Sequence, residues 1–162
     1  MNPFQKYSLI ISDIPVDLAD GTLWDNGNFD AVYHEIVLGH TGAGAGGDGH
    51  VAAILPFALP EVPAGKKVKS AILKLNITHN SAWFPVEYDV YGITSRASSI
   101  ILASDFFAGT YDTDASATAI QKAFMTHTSG VGQEVVLDNV SAIELGTFMN
   151  NQYVNGASAG EF

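Results

Sequence analysis

The clearest pattern of apolar and polar positions lies between residues 51 and 78. In its second half every other residue is apolar, and these positions are Ala71, Leu73, Leu75 and Ile77. Such alternation is typical of a half-buried strand. Pro60, Pro63 and Gly65 separate this strand from the apolar run that begins at Val51, and they favour a chain reversal. The pattern therefore predicts a β-hairpin that packs by one face against a second sheet.

Four other stretches carry strand patterns, residues 7–14, 31–38, 83–93 and 133–137. Between the third and the fourth, the spacing favours a helix over residues 115–127. Asp114 is a candidate N-terminal cap, and Ile120, Ala123 and Phe124 share one face of a helix. We therefore predict a short helix between two strands at this place.

A second helix is predicted over residues 141–154. Ser141 and Glu144 have the spacing of a capping box, and Gly156 stands where a glycine commonly ends a helix. Strands joined by short helices predict a single domain over residues 1–162. Its expected fold is all-β, an antiparallel β-sandwich of the jelly-roll kind with two short helices.

Composition narrows the classes of function. The 162 residues are 47% hydrophobic, enough for a core, and they carry a net charge of −10. Seven Lys and Arg residues do not make the basic surface that nucleic acids need, so no nucleic-acid partner is expected. No apolar run approaches the ~20 residues of a transmembrane helix, and the first residues lack the apolar core of a signal peptide. The absence of cysteine excludes disulfides and thiolate chemistry.

Four stretches carry a resemblance to a known family. Residues 55–75 (LPFALPEVPAGKKVKSAILKL) resemble the core hairpin of the DNRLRE-type domains, which are jelly-roll modules of secreted bacterial and archaeal proteins. Residues 89–93 (DVYGI) and 98–106 (SSIILASDF) look like exported surface proteins of PEP-CTERM-bearing bacteria. Residues 135–140 (VVLDNV) are similar to the strand and helix start that precede the last strands of such domains. The resemblance implies a jelly roll at the cell surface or outside the cell. Because relatives of the family include carbohydrate-binding modules, it also implies a polysaccharide ligand.

Two departures from the family pattern matter. The family hairpin usually carries Arg, then Asp or Asn, beside its central Phe. Here Phe57 lies between Pro56 and Ala58, so the contacts of those polar side chains are not carried over. The family's domain also continues for one or two strands after the glycine-rich turn, whereas these residues stop at Phe162. The expected last strand is either missing from this stretch or supplied by another subunit.

Carbohydrate-binding modules stack sugar rings on aromatic faces and bind hydroxyl groups with carboxylates and amides. The candidate ligand-binding residues are Trp83, Asp89, Tyr91 and Tyr111, with Asp112 next in sequence to the last. No HExxH pattern occurs, and no G-x-S-x-G pattern lies between a predicted strand and a predicted helix, so we expect no enzymatic activity. The sequence therefore predicts a non-catalytic module that binds a polysaccharide.

An acidic, turn-rich loop is the candidate metal site. Its oxygen donors are Asp17, Asp20, Asp25, Asn28 and Asp30. Calcium prefers about six to eight oxygen ligands, so calcium is the expected cofactor if there is one, although the same residue types also favour ordinary turns. His40 and His50 flank a glycine-rich loop and would meet if it closed into a hairpin. The alternatives for this pair are a metal site or two solvated residues.

The alternative function is a self-assembling structural subunit of a filament, surface layer or shell. Only 15% of the residues are charged, and the outward face of the first hairpin strand is apolar at Ile54, Pro56 and Ala58. A sheet that lacks its last strand presents unpaired backbone groups. In this hypothesis copies of the chain exchange strands. The donor strand is residues 2–11, whose alternating apolar residues are Tyr7, Leu9 and Ile11.

Overall fold

A computed structural model describes residues 21–24, 28–30, 39–41, 49–80, 87–105 and 111–162. Within these ranges the chain forms eight β-strands and one α-helix. The strands are β1 (Gly21–Trp24), β2 (Phe29–Asp30), β3 (Gly39–Thr41), β4 (Gly49–Ile54), β5 (Lys74–Asn76), β6 (Glu87–Ile93), β7 (Ala117–Thr126) and β8 (Glu134–Val136). The helix is α1 (Asn139–Val154). This part of the chain is β-rich, as the sequence predicts, but it has one helix where two were expected.

The strands form small antiparallel sheets. β4 lies between β1 and β3, and β1 also pairs with β2. β5 pairs with β8, and β6 pairs with β7. Antiparallel pairing in these ranges agrees with the predicted all-β class, while the jelly-roll arrangement stays a prediction.

The predicted central hairpin does not form as one paired unit. Its first strand, β4, pairs with β1 and β3, and its second, β5, pairs with β8. The turn itself lies where it was expected. Lys66 donates its backbone N–H to the Pro63 carbonyl over 2.9 Å, and Gly65 has the positive φ of +72° that a type II turn requires. Pro56 removes a backbone donor from the run after β4, which weakens any ladder with β5.

The alternation that predicts a half-buried strand is confirmed. From Ala71 to Thr78, partly buried and exposed residues alternate at every position. Leu73, Leu75 and Ile77 pack against a core whose buried residues are Ile120, Phe124, Val135 and Leu137. Leu145 and Phe148 of α1 pack against the same core. The core therefore joins β5, β7, β8 and the helix.

The first predicted helix is wrong, because residues 117–126 form strand β7. Asp114 stabilises a turn instead: its side chain accepts the backbone N–H of Ser116, at 2.7 Å. Ile120 and Phe124 are both buried. A spacing of four residues places two side chains on one face of a strand as well as of a helix. Ile120 and Phe124 fit both periods, Ala123 is exposed, and pairing with β6 decides for the strand.

Helix α1 confirms the second predicted helix, but its start differs from the prediction. Asp138, not Ser141, is the N-terminal cap, and its side chain accepts the backbone N–H of Ser141 over 2.7 Å. Ser141 is therefore buried inside the first turn. At the other end, Gly156 has a φ of +101° and donates its N–H to the Tyr153 carbonyl, as a glycine that ends a helix does.

Two glycines allow α1 to pack closely. A Cβ at Gly92 of β6 would lie 2.7 Å from ring carbons of Phe148. A Cβ at Gly146 of α1 would lie 2.9 Å from the Cα of Ser70. Close packing of this kind leaves no room for an added methyl group unless the backbone moves. The glycines therefore fix the distance between α1 and the segments it covers.

We expect Gly146→Ala to lower the free energy of unfolding by about 1–3 kcal/mol, because the added methyl group meets backbone atoms that cannot rotate away. Helix propensity alone would act in the opposite direction, by up to about 1 kcal/mol. Urea denaturation measures the change. Asn151→Ala, at an exposed position of the same helix, is the control and should change it by less than about 0.5 kcal/mol. A Gly146→Ala protein as stable as the wild type would contradict the close approach.

Candidate functional site

The candidate site is built on a mismatch between two paired strands. β7 contains ten residues and β6 contains seven, so β7 carries three extra residues, and the register shifts on both sides of Val90. Ala123 lies in this irregular part with a φ of +49°, a conformation uncommon for residues with a Cβ. Its backbone N–H donates to the Asp89 carboxylate over 2.9 Å. Bulges of this kind change the direction of neighbouring side chains.

Lys122, next to Ala123, meets two carboxylates and a phenol. Its Nζ lies 2.9 Å from Asp89 Oδ2 and 2.5 Å from Asp112 Oδ1, and it also contacts the Tyr91 hydroxyl. Tyr91 donates its hydroxyl hydrogen to Asp112 over 2.6 Å. Asp89 and Tyr91 are two residues apart on β6, so the strand presents both on one side.

Tyr111 adds a second aromatic ring. Its centroid lies 5.2 Å from that of Tyr91, and the two ring planes differ by 28°. The Lys122 ammonium lies 4.7 Å from the centroid of the Tyr91 ring. The Tyr91 cluster, as we name it, consists of Asp89, Tyr91, Tyr111, Asp112 and Lys122.

A partly buried ion pair anchors Tyr111. Its hydroxyl donates to the backbone carbonyl of Asp105 over 3.2 Å. Asp105 is only 4% exposed, and Arg96 donates to both of its carboxylate oxygens, over 2.8 and 2.6 Å. Burial alone would raise the pKa of Asp105, but hydrogen bonds from Arg96 and from the Leu102 backbone N–H outweigh burial and lower that pKa. Asp105 therefore stays ionised and paired at neutral pH.

The contacts within the Tyr91 cluster fix the protonation states. The hydrogen bond to Asp112 is the largest cause of the raised pKa of Lys122, and the same contact lowers the pKa of Asp112. Burial, followed by the hydrogen bond to Asp112, raises the pKa of Tyr91. Burial raises the pKa of Tyr111 to about 12. At neutral pH Lys122 is therefore protonated, Asp112 is ionised, and both phenols are uncharged.

Much of the cluster is open to solvent. The side chains of Asp112 and Lys122 are 66% and 50% exposed, and that of Asp89 is 29% exposed. Tyr91 and Tyr111 are half-buried. A ligand on this surface would meet aromatic rings, hydrogen-bond acceptors and a donor within one small area.

The structure brings together three of the four residues that the sequence analysis selects for ligand binding, Asp89, Tyr91 and Tyr111. Trp83 lies outside the described residues. Lys122 was missed, because it falls in the stretch interpreted as a helix, and only the register of β6 and β7 places it beside Asp89. Asp112 was noted only as a sequence neighbour, and its contact with Tyr91 is not visible from spacing.

The predicted calcium site is only partly within the described ranges. Asp17, Asp20 and Asp25 lie outside them, Asn28 is exposed, and Asp30 lies opposite Thr22 in the β1–β2 register. Among the residues that the structure describes, no group of three or more His, Asp or Glu is placed to bind a metal ion. Calcium therefore stays a prediction.

The two histidines that flank the glycine-rich loop do meet in the sheet. His40 and His50 are direct partners in the antiparallel register of β3 and β4. β3 and β4 are therefore antiparallel neighbours, as the hairpin considered in the sequence analysis requires.

Comparison of the chain with protein-family models, curated proteins and solved structures found no match in any of the three. The resemblance to the DNRLRE-type domains therefore stays a hypothesis that rests on the motifs. In the described part of the chain, no helix has the length and apolar character needed to cross a bilayer.

We expect Asp105→Asn to lower the free energy of unfolding at neutral pH by about 1–3 kcal/mol, because Arg96 loses its charged partner in a partly buried setting. The wild-type pair contributes stability above the ordinary Asp pKa of 3.8, and this contribution is lost as the pH falls from there through the lowered pKa of Asp105. The variant should therefore lose less stability than the wild type over that acidic range.

Urea denaturation at a series of pH values from neutral to acidic measures both effects. Glu61→Gln, at an exposed position, is the control and should follow the wild-type curve. If Asp105→Asn and the wild type lost the same stability on acidification, the assigned role of the pair would be wrong.

Proposed function

We propose that the protein is a non-catalytic extracellular module that binds a polysaccharide through the Tyr91 cluster. The observation that carries the proposal is the stack of Tyr91 and Tyr111 beside exposed carboxylate and ammonium groups. Aromatic rings bury the apolar C–H face of a sugar, while carboxylates accept hydrogen bonds from its hydroxyl groups. Ligand sites commonly combine an apolar surface with a few placed polar groups in this way. The resemblance to secreted jelly-roll modules supports the same function.

The protonation states favour binding over catalysis. General acid–base catalysis works best with groups whose pKa lies near the operating pH. The environment of the cluster instead lowers the pKa of Asp112 and raises the pKa values of Lys122 and Tyr91. All three pKa values therefore lie further from neutral pH than usual. The cluster therefore presents fixed donors and acceptors.

The charge of the cluster favours an uncharged polysaccharide. Two carboxylates outnumber the single ammonium group of Lys122, which already has both as partners. The whole chain carries a net charge of −10. An anionic chain would be repelled by this surface unless a cation bridged the two. We therefore infer a neutral glycan, bound by stacking and by its hydroxyl groups.

We expect Tyr91→Ala to weaken glycan binding by about tenfold or more, because it removes the ring that both Tyr111 and Lys122 contact. Tyr91→Phe keeps the ring and loses the hydroxyl, so its loss should be smaller. Affinity electrophoresis in gels that contain neutral or anionic polysaccharides, with and without calcium, measures the retardation of each variant. A glycan array extends the search to shorter sugars.

Lys122→Ala and Lys74→Ala form a matched pair of variants. Both lysines are exposed and ion-paired, but Lys74 pairs with Glu134, outside the cluster. We expect only Lys122→Ala to change binding. No retardation of the wild-type protein by any polysaccharide would refute the proposal. If Tyr91→Ala were retarded as strongly as the wild type, the glycan would bind at another site.

A further inference from the structure

Helix α1 has large apolar residues on two opposite sides. On its inner side, Leu145 and Phe148 pack against the core. On its other side, Val140, Ile143 and Val154 are 69%, 53% and 81% exposed. A helix that is apolar all round is typically buried all round. The second side of α1 is nevertheless open to solvent.

The exposed residues form a single face of the helix. Positions 140, 143, 147 and 154 recur at intervals of three, four and seven residues, which places them in one line along a helix. We name this line of Val140, Ile143, Thr147 and Val154 the outer face of α1. The Thr147 hydroxyl already donates to the Ile143 carbonyl, over 3.0 Å. Covering the outer face therefore leaves none of these four side chains with an unbonded polar group.

A segment that lies along one flank of α1 is held at three successive turns of the helix. Ala71 donates its N–H to the Ala142 carbonyl over 2.9 Å. The Val68 N–H donates to the Asn150 side chain over 2.9 Å, and that side chain donates to the Val68 carbonyl over 2.8 Å. Between these contacts the segment passes close to Gly146. Residue numbers fall along the segment as they rise along the helix, so the two run antiparallel.

This segment is basic in an otherwise acidic chain. Lys66, Lys67 and Lys69 belong to it, and all three are exposed. Among the described residues, none of these lysines has a carboxylate within salt-bridge distance. The whole chain has 7 Lys and Arg residues against 17 Asp and Glu residues. One flank of α1 therefore carries a local excess of positive charge.

The opposite flank of α1 is acidic. Glu144 is exposed and stands two residues before Gly146, which corresponds to about 200° around a helix, so it lies on the side away from the lysines. Asp138, at the start of the helix, is exposed as well. Hydrogen bonds from Ser141 lower the pKa of Asp138, which is therefore ionised at neutral pH. The outer face thus lies between a basic flank and an acidic flank.

We propose that the outer face of α1 binds the same face of a second copy of the chain and forms a twofold-symmetric dimer. A twofold axis in the plane of this face exchanges its two flanks, so the lysines of each copy meet Glu144 of the other. Contact between the two apolar centres removes Val140, Ile143 and Val154 from water. A surface with an apolar centre and flanks of opposite charge is complementary to itself, which favours a second copy over other partners.

The dimer should be weak and reversible. α1 contains 16 residues, which corresponds to about 24 Å of helix. One helix face of this length is smaller than the roughly 800 Å² that each partner buries in a standard stable complex. The proposal shares no residue with the Tyr91 cluster and does not depend on glycan binding. It is also distinct from strand exchange through residues 2–11, which stays a prediction.

Multi-angle light scattering over a range of concentrations measures the association. We expect the mass to rise with concentration from 17.1 kDa towards twice that value, and to fall when salt screens the flanks. Val140→Asp should raise the dissociation constant of the dimer at least about tenfold, because it places a charge in the apolar centre. Val131→Asp is the matched control. Val131 is 63% exposed and lies outside α1, so this variant adds the same charge and should dimerise like the wild type.

Two charge-reversed proteins test the symmetry of the dimer. Glu144→Lys and the double variant Lys67→Glu, Lys69→Glu should each dimerise less than the wild type, because like charges then meet in both halves of the interface. Mixed together, the two proteins should form a heterodimer, because each altered flank meets an oppositely charged flank. Recovery of association in the mixture would also exclude misfolding as the cause of the loss.

Four results would overturn the proposal. A wild-type chain that stays monomeric at high concentration would show that no second copy covers the outer face. Equal association of Val140→Asp and Val131→Asp would assign the contact to another surface. A mixture that associates no more than its two components would exclude the exchange of flanks. A monomeric chain that binds phosphatidylglycerol vesicles, and loses this binding in Val140→Asp, would assign the face to a lipid surface.

The outcome is separable from that of the glycan experiments. No variant used here changes a residue of the Tyr91 cluster, and light scattering is measured without glycan. Failure of the dimer therefore leaves the glycan-binding proposal unaffected, and failure of glycan binding leaves the dimer unaffected.

Discussion

The pairing of a ten-residue strand with a seven-residue strand is the constraint on which the rest of the described structure depends. β7 has three more residues than β6, so three of its residues cannot pair in a regular ladder. Ala123 lies in this irregular part, and its backbone N–H donates to the Asp89 carboxylate. Ala123 is exposed, so its N–H would otherwise bond to water, and the bond to Asp89 instead ties this part of β7 to β6. Asp89 therefore stabilises an irregular backbone that a plain ladder would exclude.

The same irregular strand links the core to the candidate site. Ile120 and Phe124 of β7 are buried in the core with Val135 and Leu137, while Lys122 between them is exposed and contacts Asp89, Asp112 and Tyr91. Packing of the apolar residues fixes the strand, and the strand then fixes the ammonium group. Helix α1 supports this arrangement from the core side, because Phe148 packs against it and lies over Gly92. The Tyr91 cluster thus depends on contacts made on the opposite face of the sheet.

Features set by neighbouring residues could be predicted from the sequence. The alternation from Ala71 to Thr78, the turn at Gly65 and the helix end at Gly156 all follow from local chemistry, and all three agree with the structure. The start of α1 was placed too late because Asp138 and Ser141 are both good caps, and spacing alone does not rank them.

Features set by distant residues could not be predicted in this way. The helix expected over residues 115–127 rested on a four-residue spacing that fits a strand equally well, and β6 decided between them. The partner of β5 is β8, about 60 residues away, and not the adjacent run. Lys122 was missed for the same reason. Its position beside Asp89 depends on three extra residues in β7 and not on any sequence motif.

Amide hydrogen exchange at Ala123, followed by NMR in the wild type and in Asp89→Ala, tests most directly whether the Asp89 carboxylate holds this strand pair in place. The structure predicts slow exchange at Ala123 in the wild type and much faster exchange in the variant. The amide of Leu137, which donates to the Leu73 carbonyl over 3.1 Å, should stay protected in both. Exchange at Ala123 that is fast in the wild type, or unchanged by the substitution, would contradict the account.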